Sequence, residues 1–213
     1  MKYDAILYDF DGTLADSVPW IMESFKAAYK VVLGKCERTD EDLKSYIGLP
    51  LIQTFEMHDD ETRDKLFYEY LRQNEVFLRE NRIELFPGVI EELTKLKAAG
   101  VRQGIVTSKR AESLQISLDV MNLNEFFEII VTKESTAEHK PSGAPLIYAA
   151  SKLKIDDLSS ILYVGDAKGD ILCAQNAGCA SCMVSWSEMP LDEIMKLQPD
   201  YLIKEMSELS CII

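Results

Sequence analysis

The feature that most restricts the fold of this chain is an alternation of period. Short apolar runs recur along it, and each is followed by a stretch with helical spacing. The runs at 5–8, 104–106, 129–131, 161–164, 182–184 and 201–203 are short and bounded, as buried strands are. Between them, the segments 89–98, 111–121, 144–153 and 171–177 repeat apolar residues every three or four positions. Strands separated by helices build right-handed crossovers, so the pattern predicts an α/β fold, a doubly wound parallel sheet covered on both faces. In such sheets ligands sit beyond the carboxyl ends of the strands. The residues just after each strand are therefore where chemistry is expected.

One segment breaks the alternation. From 17 to 86 no strand is evident, and three helical stripes appear instead: Val18, Ile21, Phe25, Ala28 and Val32; then Leu43, Ile47 and Leu51; then Phe67, Tyr70, Leu71, Phe77 and Leu78. So long a helical excursion exceeds an ordinary crossover. It predicts an inserted α-helical domain at 17–86 and a core made of 1–16 and 87–213. Pro87-Gly88 supplies the turn back into that core.

Charge removes several classes of function. With 23 basic and 36 acidic residues the chain carries −13, which opposes binding to nucleic acid or to an anionic membrane. No apolar run approaches the roughly 18 residues needed to span a bilayer. Asp4 spoils a signal-peptide pattern, and the five cysteines are an odd number, which fits reduced thiols in a cytoplasmic protein. Cys179 and Cys182 form a Cys-x-x-Cys. No second pair or nearby histidine completes a zinc site, so they read as structural.

The strand ends carry the chemistry. After the first strand comes Asp9-Phe10-Asp11-Gly12-Thr13, in which two aspartates spaced i, i+2 project toward one opening and Gly12 permits a sharp turn. A second acidic pair, Asp166 and Asp170, follows the strand at 161–164. Asp166 alone also suits a helix N-cap. Four carboxylates converging on one cleft repel one another unless a cation holds them, and oxygen-only ligands favour a hard ion such as Mg²⁺. Thr107 and Ser108 follow the strand at 104–106 and offer hydroxyls and amides at a helix start, where anions are favoured. Lys140 follows the third strand and a loop, and can neutralise a phosphoryl oxygen as a point charge.

In this order and placement, Asp9-Phe10-Asp11-Gly12-Thr13, Thr107-Ser108, Lys140-Pro141 and Gly165-Asp166-x-x-x-Asp170 resemble the motifs of the haloacid dehalogenase superfamily over nearly the whole chain. Leu14-Ala15-Asp16-Ser17 and Phe86-Pro87-Gly88-Val89 are similar to the branch with a small helical cap, which includes phosphoglycolate phosphatases, pyrophosphatases and β-phosphoglucomutases. The resemblance implies a Rossmann-like catalytic core and a Mg²⁺-dependent phosphatase that hydrolyses a small phosphorylated metabolite. It implies that Asp9 is the nucleophile that forms an aspartyl-phosphate, and that Asp11 is the general acid and base. Thr107, Ser108 and Lys140 would hold the phosphoryl group. The metal would be held by Asp9, the Asp11 backbone carbonyl and Asp166, with Asp170 in support.

Two positions depart from the family pattern. Ala167 stands where Thr or Ser is frequent, and Gly143 stands where a second proline often follows the lysine motif. Neither makes or breaks a bond, so activity is expected to survive both. A dehalogenase would lack Asp11, a β-phosphoglucomutase usually has Val at position 13, and a non-catalytic binding protein would be expected to have lost an aspartate. His58, His139 and the cap segment Ile47-Gly48-Leu49-Pro50-Leu51 are the remaining candidates for tuning the site or reading the leaving group.

Overall fold

The computed structural model describes residues 2–47, 49–80, 82–186, 188 and 190–213. The strands are β1 (Ala5–Tyr8), β2 (Ala15–Asp16), β3 (Glu84–Leu85), β4 (Arg102–Val106), β5 (Ile129–Val131), β6 (Ile161–Gly165), β7 (Ala180–Val184) and β8 (Tyr201–Ile203). Six of them form one parallel sheet in the order β5-β4-β1-β6-β7-β8. The chain winds outward from β1 through β4 to β5, then returns to the other side of β1 with β6. The reversal lies between β1 and β6, whose carboxyl ends therefore border a crevice.

Burial follows the sequence pattern. Every residue of β1 and β6 is buried, as strands covered on both faces require. Ala5, Leu7, Val106, Ile161 and Tyr163 face helices Ala144–Leu153 and Lys168–Ala177, with Leu146, Ala149, Leu153, Cys173 and Ala174 filling the layer. On β4, Gln103 is buried, and both polar atoms of its side chain are bonded. Tyr8 Oη donates to its Oε1 at 3.0 Å, and its Nε2 donates to the Leu93 carbonyl at 3.0 Å.

Gly143, a departure noted in the sequence, has a packing reason. It precedes the helix Ala144–Leu153, and a Cβ there would lie 2.6 Å from the Ala177 backbone nitrogen. Close approach of two backbones excludes a side chain, while Pro145 stiffens the first turn of the helix. The helix expected at 171–177 begins at Lys168, because its first turn is polar and invisible to apolar periodicity.

The chain divides into two compact units, one comprising Met1–Asp16 and Leu85–Ile213, the other Ser17–Glu84. Where the chain leaves and re-enters the first unit its two segments are joined, Phe86 N–H donating to the Leu14 carbonyl at 3.0 Å. The second unit is helical, built on Val18–Leu33 and Asp60–Arg79. Val18, Met22, Phe25 and Tyr29 form the buried stripe of the first helix and pack with Leu43, Phe55, Leu66 and Tyr70. Phe25 is central, with ring centroids 4.5 Å from Tyr70 and 5.6 Å from Phe55.

The middle stripe is not one helix. It divides into a helix at Asp40–Lys44, begun by a Thr39/Asp42 capping box, and a 3₁₀ turn at Gln53–Phe55. The helix already ends at Lys44, and Pro50, which has no amide hydrogen and disfavours helix at the residue before it, keeps one helix from running on through this stretch. Gly48 lies outside the described residues.

Candidate active site

Asp9 is the first residue past β1, and its amide donates to the Val164 carbonyl of β6 at 2.9 Å. This bond continues the sheet ladder and fixes Asp9 at the reversal point. Its side chain is buried, with Oδ1 accepting from Phe10 N at 2.8 Å and Oδ2 lying 3.0 Å from Lys140 Nζ. Asp166 and Asp170, past the end of β6, complete a group of buried carboxylates. Each residue contributes an oxygen to a set lying within 4.8 Å of one another.

Lys140 ties this group together. Its ammonium has three donors and meets three acceptors: Asp170 Oδ1 at 2.6 Å, Asp9 Oδ2 at 3.0 Å and Tyr163 Oη at 3.1 Å. Asp170 is equally committed. Its other oxygen accepts from the amides of Ala167 at 3.0 Å and Asp166 at 3.2 Å, so it shapes the loop that presents Asp166. Ala167, lacking a hydroxyl, leaves that loop organised by Asp170 instead. Thr13 Oγ1 donates to Asp166 Oδ1 at 3.2 Å. Gly12 has φ +80°, and a Cβ there would lie 2.4 Å from Asp166 Oδ2. The first motif thus closes directly onto the second.

Three carboxylates share one ammonium, and the electrostatics show the excess. Burial pushes Asp9 up to about 6, with Asp170 adding to the rise and Lys140 and Thr107 opposing it. Burial, then Asp170 and Asp9, hold Asp166 well above the usual carboxylate range. For Lys140, burial favours the neutral form, but Asp170 and Asp9 outweigh it and hold the ammonium charged. An all-oxygen, buried and under-neutralised donor set fits a hard divalent cation. Asp166→Asn, which removes one negative charge while keeping an acceptor for Thr13, is expected to raise the melting temperature in chelator by roughly 2–6 °C. It should also abolish any rise on adding Mg²⁺. Differential scanning fluorimetry with and without the ion checks both.

Sequence reasoning expected four carboxylates to converge, and the structure brings together three. The Asp11 side chain turns to Lys109 instead, whose Nζ lies 2.9 and 3.1 Å from its two oxygens. Thr107 follows β4, is 6% exposed and lies near enough to Asp9 to oppose the rise of its carboxyl. Ser108, beside it, is half-buried. The helix beyond them starts only at Ala111, so Thr107 and Ser108 stand in the preceding loop rather than in its first turn. His139 is half-buried, and its carbonyl accepts from Ser142 N at 2.8 Å. His58 belongs to the helical unit, its ring 5.7 Å from that of Tyr29.

Two residues of the site were not anticipated. Lys109 follows two hydroxyl residues, precedes Arg110 and carries no signal of its own, since most lysines are solvated. Tyr163 sits in the middle of an apolar strand. Its hydroxyl accepts from Lys140 and places its proton on the Val106 carbonyl at 2.7 Å, with Asp170 Oδ1 3.1 Å away. The Cys-x-x-Cys is inert in this setting. All five cysteines are free, and burial pushes the Cys179 and Cys182 thiols up to about 12.

Comparison with known proteins agrees with this arrangement. Residues 6–184 match the family model described as haloacid dehalogenase-like hydrolase. A protein of Bacillus velezensis named pyrophosphatase PpaX is 32% identical over 98% of this chain and 95% of its own length. A Bacillus pumilus protein of the same name is 31% identical over 99% of this chain and 96% of its own. Among solved structures, one from Haemophilus somnus described as a predicted phosphoglycolate phosphatase superposes with a TM-score of 0.89 at 26% identity. That match covers 100% of this chain and 98% of the other.

Proposed function

Because the chain belongs to the haloacid dehalogenase-like hydrolase family, we propose that it is a Mg²⁺-dependent phosphatase that hydrolyses a small phosphomonoester through an aspartyl-phosphate. The observation that carries this reading is the placement of Asp9 at the reversal point of the sheet, between Lys140 and the Asp166–Asp170 loop. In this reading Asp9 attacks phosphorus and the bond to the leaving oxygen breaks. Asp11, two residues on, gives that oxygen a proton. It then takes one from the water that cleaves the aspartyl-phosphate, which regenerates Asp9 and releases phosphate.

A dianionic phosphoryl group cannot approach a carboxylate without positive charge beside it. Lys140 supplies part of that charge. Its three N–H groups already have acceptors, so a phosphoryl oxygen takes the place of one of them. Thr107 and Ser108 add hydroxyl and amide donors from the adjoining loop. A divalent cation held by Asp9, Asp166 and the Asp11 carbonyl, with Asp170 behind them, supplies the remaining charge. Residues 1–16 and 87–213 form the catalytic core in this reading, and the cap at 17–86 governs leaving-group choice.

A second reading, hydrolysis of inorganic pyrophosphate by the same residues, is favoured by relatives that carry that name over nearly their full length. Among the described residues no helix is long and apolar enough to cross a membrane, in keeping with a small dissolved substrate. Phosphate release from a panel of small phosphomonoesters and pyrophosphate, with Mg²⁺ and then with excess chelator, tests the proposal. Turnover with the ion and background with chelator is the expected result. Release from no substrate, or undiminished turnover in chelator, overturns it.

A further inference from the structure

Lys109 is a cation that the chemistry just described does not use. Its side chain is only 6% exposed, so the stem is buried and the ammonium is held at Asp11, 2.9 and 3.1 Å from the two carboxylate oxygens. The backbone that carries it is anchored on both sides. Lys109 N–H donates to Thr107 Oγ1 at 3.2 Å, and its carbonyl accepts from Lys133 N at 3.2 Å. The Phe10 ring centroid lies 5.8 Å from the ammonium, within reach of a cation–π attraction.

The two lysines of the site are committed differently. Lys140 spends its three donors on Asp9, Asp170 and Tyr163. Among the described residues, Asp11 is the one acceptor of the Lys109 ammonium. One N–H is therefore left for a group arriving beside Asp11. The Asp11 side chain is 20% exposed, so the pair is open on one side.

We infer that Lys109 is a specificity-determining residue that favours a leaving group with its own negative charge, a second phosphate or a carboxylate, over a neutral alcohol. This rests on the proposed role of Asp11 as the group that meets the leaving oxygen. An ammonium fixed against Asp11 lies within reach of whatever is attached to that oxygen. A neutral alcohol gains little from it. An anionic substituent gains a charge-assisted hydrogen bond in a site partly screened from water, where such bonds are strong. Lys109 then divides the labour with Lys140, one cation for the transferred phosphoryl group and the other for what departs.

The test compares ethyl phosphate, 2-phosphoglycolate and inorganic pyrophosphate with Mg²⁺, in wild-type enzyme, Lys109→Met and Lys109→Arg. Lys109→Met keeps the buried stem and removes the charge. It is expected to lower kcat/KM for 2-phosphoglycolate and pyrophosphate by at least about 30-fold more than for ethyl phosphate. Lys109→Arg should retain most of the wild-type order of preference, and the two anionic substrates show which source of charge fits better. Equal losses on all three substrates would make Lys109 a support for Asp11 only and overturn the inference, as would unchanged ratios. Should Lys109→Met fail to fold, Lys109→Gln carries the same comparison. Release by wild-type enzyme from none of the three but from other members of the panel would overturn this inference alone, whereas release from no substrate at all would defeat the phosphatase reading and this inference with it.

Discussion

Asp9→Asn is expected to lower kcat by at least about 10⁴-fold, because an amide nitrogen or oxygen in that position cannot form the aspartyl-phosphate. The loss should not come from unfolding. An Asn side chain still offers an acceptor to the Phe10 amide, which bonds Oδ1 at 2.8 Å, and Lys140 keeps its 2.6 Å contact with Asp170. The change also removes a carboxylate from a group that has too many. The variant should therefore melt no lower than wild type while being inactive, a combination that separates chemistry from stability. In wild-type enzyme quenched during turnover, mass spectrometry should place the added phosphoryl group on the peptide containing Asp9. A variant that kept a tenth of wild-type kcat would end the covalent mechanism.

Lys140→Met should act in the opposite sense on stability. It deletes what is, among the described residues, the one ammonium paired with Asp9 and Asp170, in a group whose members Asp9, Asp166 and Asp170 are 8%, 3% and 1% exposed. Removing one partner from a buried charged cluster costs about 3–5 kcal/mol, since the remaining charges stay uncompensated. For a chain of this size that corresponds to a fall in melting temperature on the order of 10 °C in chelator. The pH dependence has a definite sign. Asp9 titrates near 6 in the folded protein, above its unfolded value. Its contribution to stability is therefore complete below the unfolded value and is lost as pH rises through about 6. Lys140 holds the Asp9 value down, so without it the loss continues to higher pH and grows larger, and the deficit against wild type should widen on going from pH 5 to pH 8. Thermal unfolding at several pH values measures it, and a deficit that stayed flat would count against the cluster as the cause.

Much of this site could be read before any coordinates, for a physical reason. A buried strand announces itself by an apolar run, and the residue that follows is placed by the sheet. Asp9 after β1, Thr107 after β4 and Asp166 after β6 were therefore locatable from run ends alone. What stayed hidden depends on where long side chains turn. Nothing in Thr107-Ser108-Lys109 says that the lysine folds back onto Asp11 and draws that carboxylate out of the acidic group. Tyr163 was hidden by its company, since a tyrosine in an apolar run looks like any other strand residue until its hydroxyl is seen to meet Lys140. The helical unit was legible as helices but not in its middle segment, where residues of helical spacing on either side of Pro50 mimic one continuous stripe.

The hydrogen bond between Phe86 and Leu14 has a consequence for how such a chain can change over time. The chain departs and returns at adjacent points that are already bonded to each other within the first unit. Everything between them behaves as an exchangeable cassette. It can be lengthened, replaced by a module from another lineage or trimmed to a short linker without any strand of the six-stranded sheet having to move, because the gap to be bridged is the width of one backbone pairing. Selection acting on the cassette is thereby uncoupled from selection on the carboxylates. If the cap governs leaving-group choice as proposed, a lineage can acquire a new substrate by trading one stretch of gene while the reaction it performs is inherited intact.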